Sequence, residues 1–69
     1  MKNYEWAKKR YFKLKVQINL TKVMGGNQFT DILRRQSRKL EKEFKGLSRE
    51  WIDASDADVD AVLSEPVPF

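Results

Sequence analysis

Seven bases, Arg34, Arg35, Arg38, Lys39, Lys42, Lys45 and Arg49, recur at spacings that a helix would gather into one stripe. With Phe29 set at zero and about 100° added per residue, they fall between roughly 140° and 280°. A solvated helix face usually mixes signs, with an acid four residues ahead of a base. Glu41–Lys45 has that order, but Arg34–Arg38, Arg35–Lys39 and Arg38–Lys42 set like charges side by side. An anionic partner offsets such repulsion, and polyphosphate is the commonest one, through phosphate contacts and counterion release. The stripe therefore points to nucleic acid, ahead of an acidic protein surface or an anionic membrane. A plain solvated face is the non-functional reading.

Lys13, Lys15, Gln17 and Asn19 are a second set. They alternate with apolar residues, and their types hydrogen-bond base edges and phosphates. On a strand they would share one face, and a two-stranded ribbon fits the major groove of B-DNA. Any outward strand face is polar, so this set gains meaning only if two strands pair.

The third set is acidic. Asp56, Asp58 and Asp60 have the opening spacing of a calcium loop, but Ala61 stands where such a loop needs Gly and Val67 where it needs Glu. As acids at a helix N-terminus they suit the helix dipole. With Val62, Leu63 and Phe69 they could also engage a basic groove on a protein partner, or fold back onto the basic segment. Tyr4, Trp6 and Tyr11, set among Lys8, Lys9 and Arg10, could stack on bases, although packing into the core is the commoner use. Catalysis lacks support. There is no His to activate a Ser, no Cys, and no glycine motif that would cradle a phosphate. No cofactor is implied.

The elements that must carry these residues follow from periodicity. Phe12, Leu14, Val16, Ile18 and Leu20 alternate with polar residues, so a β-strand is expected over about 12–23. Residues 1–11 are basic and aromatic without a clean period, and are read as a short helix or an extended arm. Gly25-Gly26 predicts a turn, with Asn27 or Thr30 available to cap the next element. Phe29, Ile32, Leu33, Leu40, Phe44, Leu47 and Trp51 form an apolar stripe that stays in phase, so one helix is expected over about 28–52; Gly46-Leu47-Ser48 argues for a break. Ser55 and Asp58 have capping-box spacing for a short helix over 55–64, and the two prolines make 65–69 an extended tail.

The fold class expected is α+β, in a single domain over 1–69. A lone strand leaves its backbone groups unpaired, which predicts a homodimer joined by an intermolecular β-ribbon.

The order of strand, helix, Gly46-Leu47-Ser48-Arg49 and short acidic helix resembles that of ribbon–helix–helix repressors and antitoxins. The resemblance covers roughly 12–63 and implies paired strands reading a DNA groove. The span from Leu20 to Gly46 is several residues longer than that pattern, and a stripe continuous to Trp51 would break it. Separately, Phe29-Thr-Asp-Ile-Leu-Arg-Arg is similar to a helix opening in a family of small-subunit ribosomal proteins, over seven residues. The basic C-terminal half of that family is replaced here by an acidic one. Neither resemblance assigns a family.

Charge sharpens the picture. The 69 residues carry +4, but all fourteen bases and only four acids lie in 1–49, while 50–69 hold six acids and no base. Such asymmetry suggests different partners for the two ends. A chain this short is marginal as a monomer. The absence of Cys fits a cytoplasmic protein, and no apolar run approaches the length of a membrane span. The expected role is a non-enzymatic, dimeric DNA-binding regulator, DNA being preferred to RNA. The alternative is a protein-interaction module that inhibits or adapts a partner.

Overall fold

A computed structural model describes residues 3–26 and 28–65. They form four helices, α1 (Tyr4–Val23), α2 (Gln28–Glu43), α3 (Leu47–Asp53) and α4 (Asp56–Leu63), with no strand among them. The fold is all-α, not α+β. Residues 4–11, from the segment read as a short helix or an arm, and the expected strand over 12–23 form one helix. The ribbon dimer and the ribbon–helix–helix likeness lose the strand they rest on.

The reason lies in a second period within the same residues. Ala7, Tyr11, Leu14 and Ile18 are buried at i, i+4, i+7 and i+11, which is a helical stripe. It is hidden because apolar residues also occupy the other sides: Leu14 and Ile18 are buried while Leu20 is 59% exposed and Val23 87%. A helix also satisfies its own backbone, so the unpaired-strand problem disappears. Its start is signalled by Asn3, whose side-chain oxygen accepts from the Trp6 amide at 2.8 Å, followed by Glu5 in the first turn.

Gly25 and Gly26 end α1. The Gly26 amide donates to the Thr21 carbonyl at 2.8 Å and the Gly25 amide to Lys22 at 3.1 Å. This is a Schellman close, and Gly25 at φ 108° supplies its left-handed residue. Asn27 lies outside the described residues. The turn sends α2 back along α1.

The helix expected over 28–52 is two helices. Its stripe continues in phase, but the backbone breaks where Gly46 takes φ 98° before Leu47 opens α3. The break lets Leu47 enter the core and turns Trp51 onto Phe12, ring centroids 5.2 Å apart at 82°. The buried face of α2 is also turned from the expected one. Thr30, Leu33, Ser37 and Leu40 are buried, whereas Phe29 and Ile32 are 52% and 50% exposed. The shift is about 60° on the wheel. Small polar Thr30 and Ser37 let α2 come close to α1, and the Ser37 hydroxyl is satisfied by donating to the Arg34 carbonyl at 2.8 Å.

The capping box at Ser55 forms reciprocally with Asp58 and opens α4. The Ser55 contacts hold the Asp58 carboxyl below its ordinary range. Val59 and Val62 of α4 pack against the core. Helix α1 is the spine: it meets α2, α3 and α4, whereas no Cα of α2 lies within 8 Å of a Cα of α4. The core is Ala7, Tyr11, Phe12, Leu14, Ile18, Leu33, Leu40 and Leu47. Fully burying a side chain such as Phe12 or Leu47 stabilises the fold by about 1.5–3 kcal/mol. No helix among the described residues is long and apolar enough to cross a membrane.

Candidate nucleic-acid interface

The four residues expected on one strand face divide between opposite flanks of α1. Lys15 and Asn19, one helical turn apart, face α2 and α3. Lys13 and Gln17 lie about 160° away on the wheel. A ribbon reading a groove with all four is therefore ruled out.

The seven-base stripe is divided as well. Arg34, Arg35, Arg38, Lys39 and Lys42 lie on α2, all exposed; Lys45 falls in the turn before Gly46, and Arg49 lies on α3. Arg49 meets Asp53 at 3.9 Å. Arg34 and Arg38 occupy the flank of α2 that faces Lys15.

These two flanks enclose a cleft of about 360 Å³. Lys15 and Lys22 of α1 stand on one wall, Arg34 and Arg38 of α2 on the other, and Trp51 of α3 closes one side together with Asn19. Lys22 is a cleft residue that the alternation did not single out, although 15, 19 and 22 sit at i, i+4 and i+7. Among the described residues, no carboxylate lies within 4.0 Å of the charged nitrogens of Lys15, Lys22, Arg34 or Arg38. The one acid on the cleft wall is Glu41, which accepts from the buried Tyr11 hydroxyl at 2.5 Å. Burial first, and then the Glu41 contact, push the Tyr11 phenol well above its ordinary range. The Lys15 ammonium lies over the Tyr11 ring, 5.4 Å from its centroid. Glu41 is therefore tied to the core side of the cleft, leaving four cations to face whatever enters.

Lys8 and Lys9 of α1 are compensated. Lys9 meets Glu65 at 2.7 Å and Glu5 at 3.8 Å, and Lys8 meets Glu50 at 3.5 Å. The Glu65 contact raises the Lys9 ammonium and lowers the Glu65 carboxyl. Part of the acidic C-terminal segment thus folds back onto the start of α1. A depression of about 680 Å³ lies between α1, α3 and α4, and its charges are mostly paired internally. Glu50 also accepts from the Tyr4 hydroxyl, which raises that phenol.

Of the acidic partner-binding set, Asp56, Asp58 and Asp60 are exposed on α4. Val62 and Leu63 are half-buried, and Val62 packs on the core, so it is not free to meet a partner. Phe69 lies outside the described residues, as does the tail 66–69.

On the other flank of the α1–α2 hairpin, Trp6, Arg10 and Leu14 face Gln36, Lys39, Leu40 and Glu43 across a depression that is also about 360 Å³. The helical wheel continues this flank through Gln17 and Leu20 of α1 and through Ile32 and Phe29 of α2. Leu20, Phe29 and Ile32 are each at least half exposed there.

No protein-family model matches this chain, and neither a curated protein nor a solved structure matches it.

Proposed function

We propose that this chain is a small non-enzymatic nucleic-acid-binding regulator whose binding site is the cleft between α1 and α2. One observation carries the reading. Lys15, Lys22, Arg34 and Arg38 converge from two helices on one concavity, and among the described residues no carboxylate lies within 4.0 Å of their charged nitrogens. Gathering like charges is unfavourable for an isolated fold, and phosphate oxygens relieve it while releasing condensed counterions. The exposed Arg35, Lys39 and Lys42 extend the positive field along α2 and steer a polyanion toward the cleft. The test is equilibrium binding to DNA and RNA of mixed sequence over a range of salt. Affinity should fall steeply as salt rises; no binding at low salt removes this reading.

A second reading has its own observation. Leu20, Phe29 and Ile32 are each at least half exposed, and the helical wheel sets them in an apolar strip on the flank away from the cleft, beside the depression lined by Arg10, Lys39 and Glu43. Such a strip suits a protein partner that presents an apolar face with acidic margins, which would make the chain an inhibitor or adaptor.

A further inference from the structure

The nucleic-acid reading leaves open which form of nucleic acid enters the cleft. Resting on that reading, we infer that the cleft binds a single strand, with phosphates held by Lys15, Lys22, Arg34 and Arg38 and one base laid against Trp51 beside the Asn19 amide.

Three features carry this. The cations line a concavity rather than a ridge. B-DNA is read by elements that protrude into a groove about 12 Å wide, and a duplex presents its phosphates on a convex cylinder. A cleft of about 360 Å³ between two helices has room for a nucleotide and not for a duplex. Second, the cleft has an aromatic wall. Trp51 is half-buried, held by edge-to-face packing on Phe12, and it lines both the cationic cleft and a neighbouring depression. It therefore forms a fixed ridge between them. Unpaired bases stack on such side chains, whereas bases in a duplex are already stacked on one another. Third, Asn19 lines the same two depressions as Trp51. Its amide offers a donor and an acceptor, the pair that a base edge needs. Phosphate binders alone would call for neither Trp51 nor Asn19 at this position.

The experiment uses the whole chain at low salt and three labelled probes of equal length: a mixed-sequence single strand, the matching duplex, and an abasic single strand that keeps the phosphates. The single strand should bind on the order of 10-fold more tightly than either of the others. Trp51→Phe retains a ring for the Phe12 contact and should weaken binding only partly. Asn19→Ala, at an exposed position, should fold normally and lose affinity for the single strand but not for the abasic probe. Equal affinity for single strand and duplex, or for single strand and abasic strand, overturns the base-stacking assignment and leaves the phosphate-binding cleft standing. Failure of all three probes to bind overturns both.

Discussion

The Tyr11 hydroxyl donates to the Glu41 carboxylate across the α1–α2 interface, thirty positions away in the chain. The contact locks the two walls of the cleft and keeps the one acid of that cleft turned toward the core. Tyr11→Phe should destabilise the fold by about 1 kcal/mol, lowering the melting temperature by about 4–8 °C. Glu41, released toward the cations, should also weaken nucleic-acid binding. Thermal melts paired with binding measurements check both outcomes.

The same phenol sets an alkaline limit. Its folded-state value lies above the ordinary 10.0, so the neutral form is favoured in the native state. The stabilisation is complete below about pH 10 and is lost as pH rises toward the folded-state value. Denaturation from pH 9 to 11.5 should therefore show a steeper loss for the native chain than for Tyr11→Phe. Identical profiles would contradict the assignment.

Reversing charge in the cleft should separate it from the outer bases. Arg34→Glu with Arg38→Glu should abolish binding, whereas Arg35→Glu should reduce it modestly. Milder replacement of Arg34 and Arg38 by Gln should lower the salt slope by about two phosphate contacts. None of these changes touches the buried core, so the circular dichroism spectrum should be unaltered.

Gly46→Ala tests the break between α2 and α3. A Cβ at this position would meet only the Tyr4 hydroxyl, at an ordinary 3.6 Å, so the cost lies in the backbone at φ 98°. It should be about 1–2 kcal/mol, read as a lower midpoint in urea. A stabilised variant would mean that the helix prefers to run on through this position.

Ile32→Glu tests the protein-partner reading. Ile32 is half exposed, so stability should change by less than about 0.5 kcal/mol. Association with an apolar partner, or self-association seen by sedimentation, should be lost, and binding to a single strand should persist.

These predictions depend on how much the sequence disclosed. The turn at Gly25-Gly26, the capping box at Ser55 and the amphipathic character of α2 were legible because each is encoded within a few residues. Helix α1 was not. Its apolar residues surround it, and five of them happen to alternate, so a period of two masked the stripe Ala7, Tyr11, Leu14, Ile18. Dividing the chain at residue 12 hides the remainder, because Ala7 and Tyr11 then fall in a separate segment. The break at Gly46 was visible as an alternative, but an in-phase stripe does not require a continuous backbone: Leu47 and Trp51 reach the same core from a redirected helix. The bases of the site were legible as residue types. Their partition was not, since it depends on which flank of α2 faces α1, and two small polar residues, Thr30 and Ser37, decide that. Trp51 joined the site only through tertiary packing, and Lys22 through the helical spacing of 15, 19 and 22 that the strand reading passes over.

Helix α1 alone touches every other helix, while α2 and α4 stay apart. A fold organised around one spine need not open all at once. Amide hydrogen exchange should reveal a ladder of openings, with α4 released first, because little besides Val59, Val62 and the Lys9–Glu65 pair ties it to α1. As pH falls below the ordinary 3.8 and on through the lowered folded-state value of Asp58, that first step should come more easily, because the carboxylate that accepts from the Ser55 amide is then protonated. The α1–α2 hairpin would open last. The cleft would then outlive the acidic end of the molecule, and nucleic acid bound there should slow exchange in α1 and α2 while leaving α4 unchanged.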